Sequence, residues 1–161
     1  MEEHFSQEEK NSKPLDILLV EDNETDIKIT LRAFSKVKIK NNIYVVNDGE
    51  EALDFIRHEG KYQDKEKFPR PDLILLDINL PKMDGFQVLE ALKKDIRYNY
   101  IPIVMLTSSR DQEDIARSYR DGAASFIPKP LNYDDFVKVV EGFNFYWNMI
   151  NKLPNPDIPK E

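Results

Sequence analysis

Five apolar runs, each followed by a stretch of helical spacing, organise this chain. Leu15 to Val20, Asn42 to Val46, residues 72–76, Ile101 to Leu106 and Ala123 to Ile127 read as strands. A run such as Leu73-Ile74-Leu75-Leu76 lacks the alternation of a half-exposed strand, so it belongs in a parallel sheet covered on both faces. Pro102, near the start of the fourth strand, is tolerable where its missing donor faces an edge. Asn23 is placed to cap a first helix, with Asp26 near its positive end and Ile27, Leu31 and Phe34 at helical spacing. Asp48-Gly49-Glu50-Glu51 opens a second helix as an approximate capping box; Ala52, Leu53, Phe55 and Ile56 supply its buried side and Gly60 its stop. Lys61 to Pro71, charged and with two prolines, reads as a surface loop. Asp84 caps a third helix with Phe86, Val88, Leu89 and Leu92 inward, Asp111 a fourth through Tyr119, and Asn132 a long last helix to about Met149.

Strand and helix thus alternate five times, which predicts an α/β, doubly wound (βα)5 sandwich with a parallel sheet. A common solution for five such units is strand order 2-1-3-4-5, with the order reversing between strands 1 and 3. Open sheets of this kind bind their ligands at the carboxyl ends of the strands beside that reversal. Glu21 and Asp22 follow strand 1, and Asp77 ends strand 3. Thr107 and Lys129 follow strands 4 and 5. The pattern therefore collects three acids, a hydroxyl and an ammonium at one rim.

Composition narrows the possibilities. A length of 161 residues with 40% hydrophobic positions suits one domain with one good core. Residues 1–13 are polar and acidic and read as a flexible arm; residues 151–161 read as a loose tail, with three prolines from Pro154 onward. The net charge of −7 argues against nucleic acid as a partner, since that affinity comes from clustered Lys and Arg. With no cysteine there is no disulfide, thiolate metal site or Cys nucleophile, which is compatible with a cytoplasmic location. The chain starts without a signal-peptide pattern, and no apolar stretch approaches the ~18–20 residues that span a membrane.

Three carboxylates at one rim repel one another, and a divalent cation relieves that strain. The donors are oxygens, and His4 and His58 lie far from the motifs, so Mg2+ is the expected ion. Beside such an ion a carboxylate can attack phosphorus and form an aspartyl phosphate. Charge on the transferring phosphoryl group spreads over three oxygens, which suits Mg2+, the Lys129 ammonium and the Thr107 hydroxyl. Asp77, ending the central strand, is the best nucleophile; Glu21 and Asp22 are left to hold the metal.

Glu21-Asp22, Asp77, the Leu80-Pro81-Lys82-Met83-Asp84-Gly85 segment, Thr107 and Lys129-Pro130 fall in the order and spacing of one family. Residues 14–150 resemble the receiver domain of two-component response regulators, a flavodoxin-like fold. The resemblance implies phosphorylation of Asp77 by a sensor histidine kinase. It also implies Mg2+ held by Glu21, Asp22, Asp77 and the backbone carbonyl of Asn79, with Thr107 and Lys129 sensing the phosphoryl group. It makes Phe126 the switch aromatic, often Tyr in this family, and implies a cis Lys129-Pro130 bond. By family analogy Asn79 and Ser109 tune the phosphate lifetime. More narrowly, Arg57-His58-Glu59-Gly60-Lys61-Tyr62, the loop after it and Phe145-Tyr146-Trp147 resemble stand-alone response regulators paired with phytochrome kinases.

Alone, each of these residues has a plainer reading: adjacent acids are usually a solvated loop pair, and a lysine is usually on the surface. Together they favour a phospho-accepting switch, not a turnover enzyme, that signals through protein contacts to an unknown downstream protein. Two alternatives stand beside it. A phosphatase of the haloacid-dehalogenase type needs a second Asp where this chain has Asn79, which cannot transfer a proton. A receiver-like dimer module without phosphorylation would not need the acids, Thr107 and Lys129. The last helix carries Phe136, Val140, Phe143, Tyr146, Trp147 and Ile150, with Val139, Phe145 and Met149 elsewhere around it, which suggests a homodimer surface.

Overall fold

A computed structural model describes residues 13–38, 40–108, 112–129 and 131–152, with side chains as far as residue 143. The expectations for the arm to residue 12, the tail beyond residue 152, the Asp111 cap, Ser109, the Lys129–Pro130 bond and the side chains late in the last helix lie outside the described residues and side chains. The last helix itself runs to Lys152, past the expected end near Met149 and into the first two residues read as tail. Five strands run β1 Leu15–Val20, β2 Asn41–Val46, β3 Leu73–Asp77, β4 Ile103–Thr107 and β5 Ser125–Pro128. Five helices alternate with them: α1 Glu24–Ser35, α2 Gly49–Arg57, α3 Gly85–Lys94, α4 Gln112–Arg120 and α5 Tyr133–Lys152. All strand pairs are parallel, in the order β2-β1-β3-β4-β5.

The pleat divides the core into two halves. Leu18, Val20, Ile74, Leu76, Ile103 and Met105 face the inner sides of α2 and α3, including Phe55, Ile56, Val88 and Leu89. Ile17, Leu19, Leu73, Leu75, Val104 and Leu106 form the other half with Phe34 of α1 and Phe136 and Val140 of α5. β1, β3 and β4 are buried throughout, as their near-continuous apolar runs require, with Asp16 the one buried acid inside β1.

Helix starts follow the predicted caps. Asn23 Oδ1 accepts from the Asp26 N–H at 3.0 Å, and Asn132 Oδ1 from that of Asp135 at 3.2 Å. At Asp48 the predicted box is shifted by a residue: its side chain accepts from Glu51 N, but Glu51 reaches back to Asn47 N instead. The reciprocal box sits at Asp84 and Gln87.

Four expectations change. Leu31 is 40% exposed, because the buried residues of α1 are Thr30, Ala33 and Phe34. Helix α2 stops before Gly60: His58 takes the left-handed conformation at φ 57°, and its imidazole Nε2 meets Phe68 O at 2.9 Å. Residues 61–71 are not simply a surface loop. A 3-10 turn over Gly60–Tyr62 buries Tyr62, and its ring packs against Phe55 and Phe68 with centroids 5.1 and 4.8 Å away. Charge and prolines hid two aromatic anchors. Finally, β4 lies between β3 and β5, not at an edge; Pro102 is accommodated because the strand starts one residue later, at Ile103.

Candidate functional site: an acidic rim around one lysine

Strand register assembles the site. Val20 pairs with Leu76, Asp77 with Leu106 and Thr107 with Pro128, so the carboxyl ends of β1, β3, β4 and β5 stand side by side. Leu73 and Leu75 face α1 and α5, and Asp77 continues that parity. Directly below it, Gly85 is required: a Cβ there would come 2.4 Å from the Asp77 carbonyl oxygen. This close approach lets α3 start immediately under the strand end.

Glu21 is fully buried, and its Oε2 accepts from the backbone N–H groups of Asp22 at 3.0 Å and Asn23 at 3.3 Å. Burial pushes its carboxyl up to about 7; Lys129 pulls it down and Asp77 adds to the rise. Asp77 is 3% exposed and accepts from the Asn79 N–H at 3.3 Å, whereas Asp22 is exposed. Oxygens of Glu21, Asp22 and Asp77 lie within 4.8 Å of one another.

Lys129 is carried in by the end of β5, where its backbone N–H donates to Thr107 O at 2.7 Å. Its ammonium contacts Glu21, Asp26 at 2.9 Å and Asp77 at 3.3 Å. Burial alone would lower its pKa, but Glu21 and Asp26 more than reverse that, so the ammonium stays charged. Thr107 is buried at the end of β4. The Asn79 side chain, at the cleft wall, donates to Ser108 Oγ at 3.1 Å. Phe126 is half-buried and meets Tyr119 edge-on, centroids 5.8 Å apart.

An open cleft of about 560 Å³ lies over Asp77, walled by Asn23, Thr25, Asp26, Asn79, Ser108 and Lys129. Its donors fit a divalent cation: three clustered hard-oxygen carboxylates, with neither sulfur nor imidazole among the described metal-binding groups. Sequence reasoning placed Asp26 only at the helix dipole and missed its contact with Lys129. No local signal marks it: Asp26 lies in the first turn of α1, where acids are common, and only packing brings it to Lys129.

Residues 17–141 match the response regulator receiver domain, and the chain belongs to this family. It is a response regulator of two-component phosphorelay signalling, a class that takes its phosphoryl group from histidine kinases. It is 38% identical to the probable methanogenesis regulatory protein FilR2 of Methanothrix harundinacea, over 89% of this chain and 90% of that one. It is 35% identical to response regulator Rcp1 of Synechocystis sp., over 91% of this chain and 97% of that one. The Mn2+-bound form of Rcp1 superposes with a TM-score of 0.74, covering 89% of this chain and 99% of that one. The phosphorylated cyanobacterial phytochrome response regulator RcpA, 37% identical, does so at 0.77, over 89% of this chain and all of that one.

Proposed function

We propose that Asp77 is the phosphoacceptor, taking a phosphoryl group from the phosphohistidine of a sensor kinase. The bond from phosphorus to the histidine nitrogen breaks as one forms to an Asp77 carboxylate oxygen. The observation that carries this reading is the placing of Asp77 at the base of an open cleft, with two carboxylates clustered on one side and the Lys129 ammonium 3.3 Å away. Glu21, Asp22, Asp77 and the Asn79 backbone carbonyl are the proposed holders of Mg2+. When bound, the ion neutralises charge on the phosphoryl oxygens. Lys129 meets a second oxygen, and the Thr107 hydroxyl, at the adjacent strand end, a third. Phe126, which pairs with Met105 two residues before Thr107 across the β4–β5 pair, is the aromatic that responds.

The protein assists its own phosphorylation and dephosphorylation but turns over no metabolite. Residues 14–150 act as the unit, with a cytoplasmic location. The likeness to RcpA supports a phytochrome-like kinase as donor, and the apolar surface of the α5 sequence supports a homodimer. Acetyl phosphate with Mg2+ is expected to add one phosphoryl group, read by intact-mass spectrometry. Label that persists in Asp77→Asn removes the assignment.

A further inference from the structure

Asp26 stands apart from the carboxylates that could hold the cation. It is the third residue of α1, its N–H donates to Asn23 Oδ1, and its carbonyl accepts from the buried Thr30 hydroxyl at 2.8 Å. These bonds fix the first turn. An acid there complements the helix dipole without needing a partner. Yet the Asp26 side chain is only 13% exposed and lies nearer to Lys129 Nζ than Asp77 does, 2.9 against 3.3 Å. It also walls the cleft into which Asp77 opens.

We propose that Asp26 is a positioning residue that competes with the phosphoryl group for the Lys129 ammonium, and so sets how readily Asp77 is phosphorylated and how long the product lasts. This rests on Asp77 as the phosphoacceptor. Phosphorylation replaces the single charge of Asp77 with one approaching two. To meet the new oxygens, the ammonium must leave or share a charge-assisted hydrogen bond in a largely buried site. The Asp26 charge at the same rim also repels the incoming phosphate. Both effects favour the unphosphorylated state. In transfer from acetyl phosphate, the bond from phosphorus to the acetate oxygen breaks, a bond to Asp77 forms and acetate leaves; Asp26 changes no bond.

The test uses the full chain at saturating Mg2+, with labelling by acetyl phosphate followed by intact mass. Asp26→Asn is expected to speed labelling and lengthen the phosphate lifetime, each about three- to tenfold. Asp26→Glu, which restores the carboxylate, should return both to within about twofold of the parent. In a Lys129→Ala background the effect of Asp26→Asn should shrink, since the contested ammonium is gone. Beryllofluoride, a phosphoryl mimic, should bind Asp26→Asn more tightly by calorimetry. Should Asp26→Asn fail to fold, Asp26→Ser carries the same expectations. Unchanged or slower labelling in a folded variant, or an effect undiminished without Lys129, overturns the proposal. If the parent chain takes no label, the phosphoacceptor reading fails and this inference with it; a labelled parent with unchanged Asp26→Asn removes the inference alone.

Discussion

Glu21 is the carboxylate on which burial weighs most. It has no exposed surface, and with its pKa pushed up to about 7 it holds a proton in mildly acidic solution. A protonated carboxyl is a poor metal ligand, so affinity for the proposed Mg2+ falls as pH is lowered through that value. Calorimetric Mg2+ titration is expected to weaken about tenfold between roughly pH 8 and 6, from the ionised fraction of Glu21 alone. Glu21→Gln should bind weakly throughout and lose this slope; a slope retained in Glu21→Gln would assign the titration elsewhere. At this scale Glu21, Asp22, Asp77, Thr107 and Lys129 could be found by sequence, because each ends or follows an apolar run. Asp26 could not. Acids in a helix's first turn are common, and nothing local says that one of them will meet a lysine some hundred residues later.

At the level of elements, the starts of α2 and α3 carry the tightest constraints. Gly85→Ala would drive a Cβ to 2.4 Å from Asp77 O and 2.7 Å from Ile78 Cα, both backbone atoms beneath the site. Overpacking of this sort costs about 1–3 kcal/mol or more. A clear fall in urea midpoint, with weaker labelling of Asp77, is the expected result; unchanged values would mean that α3 shifts freely. The segment after α2 holds a second constraint. The Tyr62 hydroxyl donates to Glu51, and Lys61 lies 3.4 Å from the same carboxylate. Burial acts to raise the Glu51 pKa, but Tyr62, the Asn47 N–H and Lys61 outweigh it, so the folded value lies below 4.5. A depressed acid stabilises the fold above its unfolded pKa, and that stability is lost as pH falls through the folded value. Tyr62→Phe should therefore cost about 1–2 kcal/mol near neutral pH and progressively less in acid below the ordinary Glu value. A cost that stays constant with pH would mean that Tyr62 acts through packing alone. The aromatic packing behind this pair was not legible in residues 61–71, since isolated aromatics among charges carry no period.

On the scale of the molecule, two half-cores clamp one sheet, and the site sits where neither half closes over it. Among the described residues no helix is long and apolar enough to cross a membrane. Val139 on α5 is 36% exposed, while Phe136 and Val140 on the same helix are buried. The proposed homodimer through α5 predicts a dimer by analytical ultracentrifugation, either constitutively or on adding beryllofluoride. A monomer in both states removes it.

Local pattern in the sequence determined the five βα units and which acids end which strands, because a parallel core demands apolar runs that stop at the rim; the strand order was expected only as the common arrangement of such units, and the structure has it. Tertiary structure alone decided three things: that Lys129 is shared among Glu21, Asp26 and Asp77, that Glu21 is the buried member of the acidic set, and that Tyr62 is a core residue. Each depends on which groups meet across the sheet and how much water remains between them, and that is a property of packed surfaces, not of neighbouring residues in the chain.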